Sequence, residues 1–95
     1  MHDWLLRDIK FDWQTGRVVV ALEDTNLIVR LLMADGVEEL QAPRENEWGP
    51  SVCVNEAFPI EQLPSGLLHL KIEMQSGDVI QITAKRFELM ESGAT

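Results

Sequence analysis

Apolar and polar side chains alternate along most of this chain, and that period of two constrains its fold more than any other feature. Ile9, Phe11 and Trp13 alternate with Lys10 and Asp12. Val18, Val20 and Leu22 repeat the pattern, as do Leu27, Val29, Leu31 and Met33. Leu68, Leu70 and Ile72 follow it again, and so do Ile80, Ile82 and Ala84. Side chains two apart share one face of a strand, so each run presents an apolar face to a core. No amphipathic stretch of helical period reaches a useful length, and no internal repeat is visible. The expected fold is all-β, a single domain over residues 1–95 with little or no helix. It has six to seven short antiparallel strands in a small two-sheet sandwich or half-open barrel.

Parity predicts the pairing. Around Gln14 to Arg17, setting Trp13 against Val18 also sets Phe11 against Val20 and Ile9 against Leu22, with Gly16 supplying the positive φ of a four-residue loop. Around Glu23 to Asn26, setting Leu22 against Leu27 places Val20 opposite Val29. These pairings predict a three-stranded meander. Its other face, with Val19, Ala21, Ile28 and Leu32 beside Lys10, Asp12 and Arg30, reads as partly covered or as a dimer contact. A three-residue loop Gln75-Ser76-Gly77 sets Ile72 against Ile80, Leu70 against Ile82 and Leu68 against Ala84, with Gly77 in the left-handed position. Weaker patterns predict short strands over 37–42 and 51–55. From Arg86 the tail either extends the last strand through Phe87 and Leu89 or frays.

Charge and cysteine usage narrow the function classes. The net charge of −8, from 16 acidic and 8 basic residues, argues against nucleic-acid binding, which normally needs a basic patch to neutralise phosphates. It argues equally against docking on anionic lipid. No apolar run is long enough to span a bilayer, and no basic region followed by a long apolar run opens the chain. Cys53 is the single cysteine, so no internal disulfide forms, which suits a reducing, cytoplasmic setting. His2 and His69 read as solvated, and no zinc-ligand spacing exists. No metal site, cofactor or catalytic set is assigned. Cys53 reads as a structural thiol, with His69 as the one base it would need for reactivity.

The segment from Asn46 to Glu56 breaks the strand pattern with Trp48 and the Gly49-Pro50 bend, and it holds the candidate site. Glu47, Trp48, Asn55 and Glu56 are the candidate ligand- or partner-binding residues. Glu47 and Glu56 would converge across the bend, with Trp48 as a flat apolar wall. The alternative is structural: a crossover joining the two sheets, Trp48 as a lid on the core, and Asn55 closing a turn through its amide.

At Asp12-Trp13, Trp48-Gly49-Pro50-Ser51, Val54-Asn55-Glu56 and Glu73 to Asp78, the chain resembles a group of small, largely uncharacterised bacterial all-β proteins. Some of their relatives are similar to immunity proteins that neutralise polymorphic toxins. The resemblance implies a bacterial, cytoplasmic, non-enzymatic protein and carries no active-site residues with it. The expectation is a small protein-interaction module, immunity-like, with a protein partner or self-association and no nucleic acid or membrane. The alternative is a small-ligand binder or minor enzyme built on the Trp48 segment.

Overall fold

The computed structural model describes residues 1–43 and 53–91. Among them are nine strands and no helix. They are β1 (Leu5–Asp12), β2 (Arg17–Glu23), β3 (Val29–Asp35), β4 (Glu39–Gln41), β5 (Val54–Ala57), β6 (Glu61–Gln62), β7 (Leu68–Met74), β8 (Val79–Ala84) and β9 (Arg86–Glu91). One antiparallel sheet runs β1-β2-β3-β9; the other runs β4-β8-β7-β5, with β6 also on β7. The all-β class and the two-sheet packing are as the alternation predicts. The count rises above seven because of the two-residue β6 and because β9 is a strand in its own right.

The sheets bury their facing sides. Val18, Val20 and Leu22 of β2 and Leu32 and Ala34 of β3 meet Leu70, Ile72, Met74, Ile80, Ile82 and Ala84 of the β7–β8 hairpin. Leu22, Ile72, Ile80 and Ile82 are among the largest fully buried side chains. Truncating such a residue to Ala costs about 2–5 kcal/mol, because the lost burial adds to the cavity left behind.

The β7–β8 hairpin has the predicted register: Ile72 opposite Ile80, Leu70 opposite Ile82, Leu68 opposite Ala84. Gly77 sits at φ 97, where a Cβ would clash with the following carbonyl, and its N–H donates to the Met74 carbonyl at 2.9 Å.

The meander exists, but both of its registers differ from the expectation. Phe11 faces Val18 and Ile9 faces Val20, so Trp13 falls outside the ladder, in the turn. Asp12 ends the strand early. Its carboxylate accepts the N–H groups of Gln14 (3.0 Å) and Thr15 (3.3 Å), while its carbonyl accepts from Gly16 (2.9 Å). A bulge between Leu6 and Asp8 then resets the face, so that Leu6 also points inward, opposite Leu22.

The second turn shifts by an odd step. Glu23 faces Val29, Val20 faces Leu32 and Val18 faces Ala34. Leu32 and Ala34 are therefore buried, and Leu27, Val29, Leu31 and Met33 are not in the core. Asp24 is the cause. It lengthens the loop to five residues by accepting from Asn26 (2.9 Å) and Ile28 (3.0 Å), and Leu27 takes φ 63 within it. A one-residue change of register turns a strand over.

Two corners join the sheets. β3 passes into β4 at Gly36, and β8 passes into β9 at Lys85, with the Lys85 N–H donating to the Asp35 carbonyl at 2.9 Å. From Arg86 to Glu91 the chain thus neither frays nor prolongs the last strand in its own sheet. It crosses to pair with β3, setting Phe87 opposite Ala34 and Leu89 opposite Leu32. Gly36 has φ 63, and a Cβ there would lie 2.7 Å from Cδ and 3.0 Å from Cβ of Lys85. Asp35 clamps the corner by accepting from Arg17 Nε (2.7 Å) and Arg86 Nη2 (2.8 Å). The residues flanking 44–52, by contrast, lie in β4 and β5 at opposite edges of one sheet. The bend at Gly49-Pro50 and Trp48, which the sequence suggests as the crossover between sheets, lie outside the described residues. At the far edge, Leu5 and Cys53 form an isolated bridge, with Asp3 N–H donating to Val54 O (2.9 Å) and Val54 N–H to Trp4 O (2.7 Å).

The exterior of the first sheet carries half-buried Val19, Ala21, Leu31 and Met33. Ile28 belongs to the turn, and Leu32 belongs to the core rather than to this face.

Candidate functional site

Of the four sequence candidates, Glu47 and Trp48 lie outside the described residues. Asn55 and Glu56 sit on β5, opposite the far end of β7, where the register shifts between Val54 and Glu56. Asn55 is engaged in structure. Its Nδ2 donates to Glu73 Oε1 at 2.6 Å, and its carbonyl accepts from His2 Nδ1 at 2.7 Å. Glu56 is exposed and faces Glu73 across the ladder. Asn55 thus ties the edge strand to its neighbour.

Cys53 and His69 are not brought together. Cys53 precedes Val54, which faces Met74, whereas His69 lies five positions back along β7. That is roughly 17 Å along a strand, beyond any proton transfer. His69 is spoken for by both ring nitrogens: Nδ1 lies 2.9 Å from Thr83 Oγ1 and Nε2 lies 3.2 Å from Gln81 Oε1. A neutral ring protonated at Nε2 satisfies both, donating to the amide oxygen and accepting from the hydroxyl. Among the described residues, no three His, Cys, Asp or Glu side chains converge on a point that could hold a metal.

Two concavities lined by described residues bear on a site. The first is a groove of about 510 Å³ on the outer face of the second sheet. Phe58 and Pro59 wall it, and His69, Lys71, Glu73 and Gln81 floor it. Its polar floor follows from the β7–β8 register, which sends those residues outward while Leu70, Ile72, Ile80 and Ile82 go in.

The second is a cleft of about 380 Å³ between the tip of the β1–β2 hairpin and the start of β4. Phe11, Trp13, Val37 and Leu40 line it, with Glu38 and Glu39 beside them. The Gly16 carbonyl accepts the Val37 N–H at 2.8 Å and so fixes the hairpin tip against β4. Trp13 is 85% exposed and Phe11 40% exposed. Their ring centroids lie 5.7 Å apart at 40°, within the range of a favourable tilted pair. A single exposed apolar residue is ordinary, but two paired rings over a cleft form a patch. Sequence alternation assigns Trp13 to the core and so misses this corner. The signal that finds it is Asp12 four residues before Gly16: an Asp able to close a turn ends the strand and ejects the next residue.

The electrostatics of the frame favour ionised carboxylates. The Arg86 and Arg17 guanidinium groups hold the Asp35 carboxyl below its ordinary value. The Ile28 N–H, with Arg30 and the Asn26 N–H, does the same for Asp24, against an opposing effect of burial. Arg30 also lies 6.0 Å from the Trp4 ring centroid, which extends this cluster to the N-terminal segment.

Among the described residues no helix is long and apolar enough to cross a membrane. Comparison with family models, curated proteins and solved structures returned no match.

Proposed function

We propose that this chain is a small, non-enzymatic protein-interaction module that docks its partner on the corner formed by Phe11 and Trp13. One observation carries the reading: Trp13 stands 85% exposed beside Phe11 at the mouth of a cleft. Covering such an indole removes on the order of 150–200 Å² from water, worth about 4 kcal/mol before the entropy of docking is subtracted. Exposed Trp residues of this kind are enriched among the few side chains that dominate interface energetics. In its finer form the reading is of a bacterial, cytoplasmic, immunity-like protein. The resemblance of the short sequence blocks and the net charge of −8, suited to a basic toxin, support that form. Self-association is the same reading with a second copy as the partner.

The test is affinity capture from native lysate with the wild type and with Trp13→Ala in parallel. A stoichiometric partner or a stable self-dimer that the variant loses is the expected result. A strictly monomeric protein that recovers nothing, or one whose partner is indifferent to Trp13, overturns the reading.

A second reading, a small-ligand site, moves from the Trp48 segment to the groove on the second sheet. The observation favouring it is the convergence of His69, Lys71, Glu73 and Gln81 beside Phe58. A melt against a broad ligand library tests it: stabilisation lost in Lys71→Ala supports it, and no stabilising ligand sinks it.

A further inference from the structure

We infer that the occupant of the Phe11–Trp13 corner is an extended, basic segment of a partner protein. It adds as a strand along the open edge of β4 and places a Lys or Arg between the two rings and the Glu38 and Glu39 carboxylates. The inference rests on the interaction reading above and specifies the chemistry of its partner.

Three observations point the same way. First, β4 pairs with β8 alone among the described strands. Alternate N–H and C=O groups on the far side of Glu39–Gln41 therefore have no ladder partner there. An open edge is a template for one more strand. Second, the cleft lies along that edge, between β4 and the hairpin tip, so a chain entering it meets the edge and the two rings together.

Third, among the described residues the charges that line the cleft are of one sign. Glu38 and Glu39 are exposed, and no cationic side chain among the described residues lines the cleft. Arg17, the nearest cation in the hairpin, is committed to Asp35 at 2.7 Å. Among the described residues, Glu39 accepts from the neutral amide of Gln41, at 2.8 Å, and neither Glu38 nor Glu39 forms an ion pair. Two aromatic faces with two carboxylates form a cation site, because the ring quadrupole and the carboxylates both attract positive charge. Edge strands commonly carry a charge that repels unwanted pairing. Here the sign of that charge repels acidic strands and admits basic ones. It also disfavours a second copy, which would set the same two glutamates against themselves at this edge and brings a net charge of −8 of its own.

The test uses the full chain and fluorescence anisotropy with a labelled nine-residue peptide of alternating Arg and Val. Two companion peptides replace Arg by Glu, or carry N-methyl groups on alternate amides so that strand pairing is blocked. The basic peptide is expected to bind saturably, and the Glu peptide is not. N-methylation, Trp13→Ala and the double variant Glu38→Gln/Glu39→Gln are each expected to weaken binding about tenfold or more. The double variant Glu61→Gln/Glu88→Gln removes the same charge away from the corner and is expected to keep the affinity within about threefold. Circular dichroism and melting establish that each variant is folded.

Equal weakening by the two double variants would mean diffuse attraction to an acidic protein and would overturn the inference. So would N-methylation without effect, equal binding of the Glu peptide, or a self-dimer that dissolves on Trp13→Ala. If a lysate partner depends on Trp13 while the basic peptide fails to bind, the chemistry assigned here is wrong and the interaction reading stands. If neither depends on Trp13, both fall.

Discussion

The β7–β8 hairpin and the β1–β2–β3 meander are built from the same alternating pattern, yet only the first has the pairing that parity predicts. The difference lies in what closes their turns. At Gln75-Ser76-Gly77 the backbone decides, because Gly77 at φ 97 is a conformation that the residue type itself announces. In the meander, side chains decide. Asp12 and Asp24 each capture N–H groups of their own turn and so choose where the strand stops. The lesson is that hydrophobic period sets which residues share a face, whereas turn closure sets which face is in. A single Asp can overrule several apolar residues, since moving one residue of loop length turns the whole strand over.

The largest effect expected is shared by both regions. Ile72→Ala and Leu22→Ala should each lower unfolding stability by about 2–5 kcal/mol in denaturant titration. Both side chains are fully buried in one core, one from each sheet. A large loss for Ile72 with a negligible one for Leu22 would mean that the first sheet is not packed as described.

Gly36→Ala comes next, at about 1–3 kcal/mol, from left-handed strain together with the approach to Lys85 at the corner between the regions. A neutral result in a thermal melt would sink the tight corner geometry.

Smaller again, and specific to the first sheet, is the response to acid. Asp24 and Asp35 are both held below the ordinary carboxyl value of 3.8. The folded state thus keeps these groups charged where the unfolded chain would bind protons. Their contribution is complete above about pH 4 and is lost as pH falls below 3.8 through the folded values. Asp24→Asn and Asp35→Asn should each flatten the fall of Tm between neutral and strongly acidic pH. Each should also reduce hydrogen-exchange protection in β2 and β3 more than in β7 and β8. Unchanged acid slopes in both variants would remove the carboxylates from this account.

The smallest effect on folding belongs to the residue with the largest proposed role in binding. Trp13→Ala should change stability by within about 0.5 kcal/mol in denaturant titration, because the side chain is 85% exposed. A large loss would make Trp13 a packing residue and remove the docking corner.

The candidate site was less legible than the fold. Asn55 and Glu56 attract attention as polar residues after an apolar pair, but Asn55 is consumed by Glu73 and His2. Phe11 and Trp13 look like core residues because they continue the spacing of Ile9. Nothing local says that Phe11 will overhang the core edge, since exposure there depends on how far the opposing sheet extends. Glu38 and Glu39 are adjacent acids in the sequence, and only the structure sets them beside the hairpin tip.

What the amino-acid sequence determined by itself is the all-β class, the strand-forming runs and the turn that Gly77 closes. These depend on period and on backbone allowed regions, which act over a few residues. Tertiary structure alone decided the register of β1, the face of β3, the passage of β9 into the first sheet and the meeting of Phe11, Trp13, Glu38 and Glu39 in one cleft. Those outcomes depend on which sheet covers which face and on hydrogen bonds that compete at the turns. Such competition is settled only when the two sheets close on each other and an unpaired polar group or an exposed apolar face becomes costly.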